Sequence, residues 1–351
     1  MEEDNQRIAN LSFLKKNMSD IKGVNLGGWF VLESWIKPSL FKNIDSRDET
    51  GFCLQNPNAE RDLIKHWETF ITKDDFIYLK SIGINSLRLP IPWWLQGEKP
   101  YFSALPYIHR AMQWADEIGL DVLLDLHTAP GCQNGFDNGG IEFVLKWHLD
   151  QANLQLTVEK LGFIAKTFKD YPSFWGIEIL NEPHYETDLH LIADFYMSAY
   201  EEIREHTDKV VVFHDAFRPT DEIWEPFFAN PVLKNVMFDL HYYHCFDADM
   251  AVGSFDNHIQ TIINRRLPVI RKISKYVDII IGEWSLGIKY EKMDLGENPD
   301  LAYYDKLLAA LQLYIYSYAK GFYFWTYRVD GIRQGWDFRK LISEGILPDK
   351  Y

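Results

Sequence analysis

Two glutamates stand where this sequence could do chemistry. Glu182 falls in Ile177-Glu-Ile-Leu-Asn-Glu-Pro183 and Glu283 in Ile279-Ile-Ile-Gly-Glu-Trp284. Each follows a short apolar stretch, so each reads as a carboxylate at the end of a β-strand. Breaking a glycosidic bond takes one carboxylic acid to protonate the leaving oxygen and a second carboxylate on the other side of the sugar. Apolar, aromatic surroundings desolvate a carboxyl and raise its pKa, which suits the acid. The other carboxylate needs hydrogen bonds or a cation to stay ionised. Asn181 and Pro183 fix the first glutamate, while Gly282 permits close approach and Trp284 sets an indole beside the second. Either glutamate alone could be a solvated loop residue. Together, on strands that face each other across a barrel mouth, they form a pair.

The elements that must hold that pair recur along the chain. Candidate strands are Ile21–Asn25, Ile84–Leu89, Asp121–Asp125, Trp175–Ile179, Val210–Phe213, Val236–Leu240, Asp278–Ile281 and Phe322–Trp325. Helical patterns lie between most of them: Lys73–Ile82, Pro106–Ile118, Gln155–Phe168, Leu189–Glu205, Asn257–Ile273 and Leu301–Tyr318. Eight strands with crossover helices predict a parallel sheet closed as a (β/α)8 TIM barrel. The expected organisation is one domain over residues 1–351, with residues 1–20 as an N-terminal extension. An open doubly wound sheet would want a Gly-rich phosphate turn after the first strand, and Gly23-Val-Asn-Leu-Gly-Gly28 is not that cofactor fingerprint.

A barrel puts function at the C-terminal ends of its strands. Those ends carry Asn25 and Glu33, then Arg88, then Asp125 and His127, then Asn181 and Glu182. His214 and Asp215, His241 and Tyr243, Glu283 and Trp325 complete the rim. A metal-dependent barrel hydrolase built on His127, His241 and Asp215 is one competing reading, but the usual His-x-His on the first strand is Val24-Asn-Leu here. In His241-Tyr-Tyr-His244, strand alternation turns His241 and Tyr243 one way and His244 another, against a metal cluster. A binding protein on a hydrolase scaffold is a second alternative, and both carboxylates are present.

Composition narrows the partners. With 51 acidic against 36 basic residues, net charge −15, the chain is not expected to bind nucleic acid or an anionic membrane. No apolar run reaches the ~18 residues of a spanning helix. The acidic start, Met-Glu-Glu-Asp, does not read as a secretory signal. Cys53, Cys132 and Cys245 are odd in number and widely spaced, as for free thiols in a cytoplasmic protein.

Nearly from end to end the sequence resembles glycoside hydrolase family 5, within it the fungal exo-β-1,3-glucanase type. The resemblance runs through Gly23-Val-Asn-Leu-Gly-Gly-Trp-Phe-Val-Leu-Glu33, Lys37-Pro-Ser-Leu-Phe41, His66-Trp-Glu-Thr-Phe-Ile-Thr72 and Leu87-Arg-Leu-Pro-Ile-Pro92. It continues in Asp125-Leu-His127, Gln133-Asn-Gly-Phe-Asp-Asn138, the Asn181-Glu182 motif, Phe213-His-Asp-Ala-Phe217, Asp239-Leu-His-Tyr-Tyr243, Gly282-Glu-Trp284 and Phe324-Trp-Thr-Tyr327.

The resemblance implies retaining double displacement, with Glu182 as acid/base and Glu283 as nucleophile, roughly 5–5.5 Å apart. It puts Arg88 near the nucleophile, His127, His241 and Tyr243 around the scissile sugar, and Trp325 beneath it. Each role suits its chemistry. Arg88 would keep Glu283 ionised, Asn181 would bond the sugar 2-OH, Tyr243 would hold the nucleophile and Trp325 would offer a flat face.

In exo-acting members the loop at Gln133–Asn138 closes one end of the cleft. Phe136 and Phe246 would then flank the entrance, and Glu33, Asp137 and Asn138 would take the hydroxyls of a terminal glucose. The expected substrate is a β-linked glucoside or oligosaccharide that releases terminal β-glucose. The short segment after Glu283, Lys289 to Asp300, leaves the aglycone open: β-1,3- or β-1,6-glucose, a disaccharide glycoside or a small glucoside.

Overall fold

A computed structural model describes residues 20–246, 254–331 and 334–351; the expected N-terminal extension lies outside these except for Asp20. Eight parallel strands close on themselves in sequence order, β1 pairing with both β2 and β8. They are β1 (Ile21–Asn25), β2 (Ser86–Ile91), β3 (Asp121–Leu126), β4 (Phe174–Glu178), β5 (Val210–His214), β6 (Val236–Tyr242), β7 (Asp278–Trp284) and β8 (Gly321–Phe324). Helices between them include α1 (Glu49–Gln55), α2 (Ala59–Thr69), α3 (Lys73–Ser81), α4 (Leu105–Ile118), α5 (Gln151–Phe168), α6 (Leu189–Arg204) and α7 (Trp224–Phe228). Four more are α8 (Phe255–Thr261), α9 (Leu267–Ile273), α10 (Leu301–Tyr316) and α11 (Phe338–Ser343). The barrel is the expected one.

Strand alternation sorts the side chains into two cores. Outward residues such as Ile177, Phe213, Ile279 and Ile281 pack under the helices in the large hydrophobic core. Inward residues Leu123, Val210, Val212, Ile280 and Tyr323 fill the barrel's floor. One step of two residues further along the same inward faces, the floor gives way to charge: Arg88, Asp125, Glu178 and Asp239 are all fully buried. The apolar floor thus carries a polar layer, and the rim residues stand on that layer.

Two local departures matter. Pairing of β7 slips by one residue against both neighbours, between Ile280 and Glu283 on the β6 side and between Ile281 and Trp284 on the β8 side. Strict alternation from inward Ile280 would send Glu283 out toward the helices. The extra residue of the bulge turns it in. Gly282 makes the bulge possible, because a β carbon there would overlap the Asp239 carboxylate.

The expected continuous helix Asn257–Ile273 is instead broken. A π-helical turn, Ile262–Arg266, separates α8 from α9, whose second residue is Pro268. Proline has no N–H to donate, so the ladder opens just before it. Short helices α1, α2, α7 and α11 were not in the sequence-based expectation either. Three of them run only five to seven residues, too short for a clear helical period, and α2 carries only a few buried positions, among them Leu63 and Trp67.

Candidate active site

The site is built on Arg88. Its Nε and Nη2 donate to the two oxygens of Glu178 at 2.7 and 3.1 Å, and Nη2 also reaches Asn181 Oδ1 at 2.8 Å and Asp125 Oδ2 at 3.1 Å. Nη1 donates to Asn25 Oδ1 at 3.0 Å and to Glu283 Oε1 at 2.8 Å. One planar guanidinium therefore links β1, β2, β3, the end of β4 and β7, a geometry that a lysine cannot supply. Burial alone would lower its pKa, but Asp125, Glu178 and Glu283 hold it well above the usual arginine range. Glu178 is pushed well up by burial, more than Arg88 can offset.

Glu283 takes its second donor from Tyr243, whose hydroxyl lies 2.5 Å from Oε2. Glu182 sits across the mouth at φ 46°, a left-handed conformation that costs a non-glycine residue ~1–3 kcal/mol and is held only where surroundings insist. Its Oε1 accepts from His241 Nδ1 at 2.8 Å and its Oε2 from Asn138 Nδ2 at 2.9 Å. The same His241 Nδ1 is 3.5 Å from Glu283 Oε2. One imidazole nitrogen thus stands within 3.5 Å of an oxygen of each carboxylate, which makes the two glutamates neighbours across the mouth.

Electrostatics here reverse one expectation. Burial pushes both glutamates up. For Glu182 the hydrogen bond and charge of His241, with help from Asn138 and His127, overcome burial and leave the carboxyl below its ordinary range. For Glu283 burial and the Glu182 charge outweigh His241 and Arg88, and the carboxyl rises. His241 itself, flanked by Glu283, Asp239 and Glu182, is held well above the usual histidine range against its burial. These directions favour the shared proton on His241, between the two glutamates. Desolvation of Glu182 is real but loses to an imidazolium at hydrogen-bond distance.

Around this pair, several buried polar atoms have no partner among the described residues: Asn181 Nδ2, His127 Nε2 and Glu33 Oε1. His127 is oriented by Asp125 Oδ2, 2.5 Å from its Nδ1, and lies parallel to the Trp325 ring, centroids 5.4 Å apart. Trp325 is itself nearly buried, and a β carbon at Gly27 would come within 2.8 Å of its ring. Glu33 Oε2 accepts from the Trp35 indole at 2.8 Å; burial first, then the Asp137 charge, push the Glu33 carboxyl well up. Unpaired buried donors and acceptors are expensive. Their convergence beside a carboxylate pair suits a ligand rich in hydroxyls.

The sequence-predicted residues fall into two groups. Arg88, Asn138, Asn181, Glu182, His241, Tyr243 and Glu283 join one hydrogen-bonded cluster, with His127 and Trp325 stacked beside it. Asn138, expected on sugar hydroxyls, has its amide on Glu182 and its carbonyl on Asn134. Glu33 and Asp137 form a separate acidic pair. The aromatics Phe136 (39% exposed, beside His184) and Phe246 (73% exposed, against Tyr243 and Trp336) stand on different parts of the rim. His127, His241 and Asp215 do not assemble as a metal site. Both nitrogens of His241 are taken by carboxylates, His127 Nδ1 is on Asp125, and Asp215 Oδ1 accepts from Phe217 N–H.

Sequence reasoning overlooked Asp239, Glu178 and Gln133 as parts of the site. Asp239 accepts from His241 Nε2 at 3.2 Å and from Gly282 N–H at 2.5 Å. The signal was there: Asp125 precedes His127 by two residues and Asp239 precedes His241 by two, so each acid shares an inward face with its histidine. Gln133 donates to the carbonyls of both His127 and Asn181 at 2.9 Å and accepts from Ala129 N–H, stapling the loops after β3 and β4. Nothing local in the sequence marks that.

Comparison with known proteins agrees. Residues 48–327 match the model of the Cellulase family, glycosyl hydrolase family 5. The chain is 31% identical to the probable glucan 1,3-beta-glucosidase A of Emericella nidulans, across 93% of this chain and 90% of that one. It is 31% identical to glucan 1,3-beta-glucosidase 1 of Schizosaccharomyces pombe, across 94% and 88%. The rutinosidase structure from Aspergillus niger shares the fold, with TM-score 0.80 at 21% identity over 94% of this chain and 98% of that one.

Proposed function

The chain belongs to glycosyl hydrolase family 5, and on that premise we propose that it removes terminal β-glucose from β-1,3-linked glucosides with retention, as its named glucan 1,3-beta-glucosidase relatives suggest. The observation that carries the reading is the His241 bridge: its Nδ1 lies 2.8 Å from Glu182 Oε1 and 3.5 Å from Glu283 Oε2, which suits the close carboxyl pair of a retaining site. Glu283 attacks the anomeric carbon as Glu182 gives a proton to the glycosidic oxygen. A glycosyl-enzyme forms, and Glu182 as base then delivers water to it. The proton of that water returns to the Glu182–His241 pair, joined at 2.8 Å through His241 Nδ1, the one proton given up in the first step.

The unpartnered Asn181 Nδ2 is suited to the sugar 2-OH, a bond that strengthens in the transition state. His127 Nε2 and the carboxyls of Glu33 and Asp137 suit the remaining hydroxyls of one terminal glucose, Trp325 its ring face, and Phe136 and Phe246 the cleft entrance. The chain acts as one catalytic domain, a reading supported by the closure of β8 on β1. The free thiols of Cys53, Cys132 and Cys245 support a reducing, cytoplasmic setting. Among the described residues no helix is long and apolar enough to cross a membrane.

The test is an NMR time course on an aryl β-glucoside and on laminaribiose, with a chelator present. β-Glucose formed before mutarotation is the expected result. α-Glucose formed first would overturn the double displacement, and no glucose from either substrate would overturn the substrate class.

A further inference from the structure

His214 ends β5 and is fully buried. Its backbone, its ring and the turn that follows are each held by named contacts. The Tyr196 hydroxyl donates to its carbonyl at 2.8 Å, and Ala216 N–H donates to its Nδ1 at 3.0 Å. The Phe217 ring packs edge-on against it, centroids 5.3 Å apart, while the Asp215 carboxylate accepts from Phe217 N–H at 2.8 Å. Ala216 and Phe217 are both left-handed, φ 49° and 59°, which side chains disfavour. Two strained residues in succession hold one imidazole in place.

Accepting from Ala216 N–H leaves His214 one tautomer. Nδ1 keeps its lone pair, so Nε2 carries the hydrogen. Burial, then the charges of His241, Arg88 and His127, keep the ring neutral. That Nε2–H has no partner among the described residues. The ring stands edge-on to His241, centroids 4.4 Å apart at 85°, and a His214 nitrogen, a His241 nitrogen and a Glu182 oxygen lie within 4.8 Å of one another. Two histidines and a glutamate have the composition of a metal site. Coordination by Nε2, however, would require the lone pair that the Ala216 bond places on Nδ1. The unpaired atom is a donor, and the acceptor nearby is Glu182.

We propose that His214 is a positioning residue whose Nε2–H is reserved for Glu182 once the Glu182–His241 pair has passed its one proton to the glycosidic oxygen and neutral His241 no longer balances the Glu182 charge. The proposal rests on Glu182 being the acid/base. In the first step the Glu182 proton goes to the glycosidic oxygen, and the C1–O bond breaks with its electrons going to the departing alcohol. Glu283 bonds to C1, and Glu182 is left as a buried anion. Its oxygens each accept one bond, from His241 and Asn138, and each has a second lone pair to offer. A bond from His214 stabilises that anion, which is both the product of the first step and the base of the second. The other titratable groups facing Glu182 are His241 from β6, Tyr243 just after it, Glu283 from β7, His127 from the end of β3, Asp215 from the turn after β5 and Glu33 from the loop after β1.

The experiment compares wild type, His214→Leu and His214→Gln on 2,4-dinitrophenyl β-glucoside, whose turnover is set by the second step. His214→Leu is expected to lower kcat about tenfold, the scale of one hydrogen bond to a charged group, and, on laminaribiose, whose departing alcohol needs the proton, to move the alkaline limb of kcat/KM upward. His214→Gln, which keeps an N–H donor, is expected to restore both. An unmoved limb and kcat in the leucine variant, or equal losses in both variants, would overturn the proposal. A measurement on wild type covers the case in which the leucine variant fails to fold. Trapping the glycosyl-enzyme with a 2-fluoroglucoside should shift the His214 Nε2–H proton resonance downfield, and no shift would overturn it. Wild type that never forms the trapped species would instead overturn the hydrolase reading itself.

Discussion

Tyr243 donates its hydroxyl to Oε2 of Glu283 at 2.5 Å, on the oxygen that Arg88 leaves free. The carboxylate is thus gripped at both ends, and its orientation is fixed before any sugar arrives. Tyr243→Phe removes one donor to a charged group, worth ~1.5–3 kcal/mol. The expected loss in kcat/KM is therefore on the order of 10- to 100-fold, with the acid limb moved upward because ionised Glu283 loses a stabilising bond. Steady-state kinetics against pH check both.

The two glutamates separate by substrate. Glu283→Ala removes the proposed nucleophile and is expected to lower turnover of every β-glucoside by roughly 10⁴-fold or more. Glu182→Ala should leave the first step on a dinitrophenyl glucoside nearly intact, because that leaving group needs no proton, while laminaribiose hydrolysis collapses. Pre-steady-state bursts measure the first step directly. Equal losses on both substrates would show that Glu182 is not the acid.

The pH profile of kcat/KM reports the free enzyme. Activity needs Glu283 ionised and one proton on the Glu182–His241 pair. Glu283 is raised, so the acid limb should lie above the ordinary carboxylate range, activity falling as pH drops through it. His241 is raised well above 6.5 and holds the proton, so the alkaline limb should lie above that value, activity falling as pH rises through it. In His241→Gln the proton must reside on Glu182, and the alkaline limb should move down.

Arg88 also bears on stability. Arg88→Met would leave Asp125 and Glu283 buried without their cation, and breaking a buried pair in this way costs ~3–5 kcal/mol. Urea unfolding should show a lower midpoint with an unchanged slope. Retention of the wild-type midpoint would mean that the carboxylates simply take up protons.

Which parts of this could be read from the chain follows from range. The barrel was legible because its strands are short apolar runs, and the rim because strand ends carry His127, Glu182 and His241 in sequence. The inward aim of Glu283 was not, since it depends on a one-residue slip of β7 against both neighbours; only Gly282 hints at it. The proton's place was not legible either. Apolar neighbours of Glu182 are visible in sequence, but the imidazolium that overrides them comes from a strand 59 residues away. His214 looked like one more rim residue until its tautomer was fixed by the backbone of Ala216.

The Gln133 staple has a consequence for anyone who would redirect this enzyme. Because one amide holds the carbonyls of both His127 and Asn181, the segment after β3 and the proposed proton donor are mechanically one part. Aglycone preference and acid alignment cannot drift independently during divergence. A transplanted segment that keeps its aromatic tip but lacks a glutamine at this point should gain a new leaving group and lose the geometry to release it.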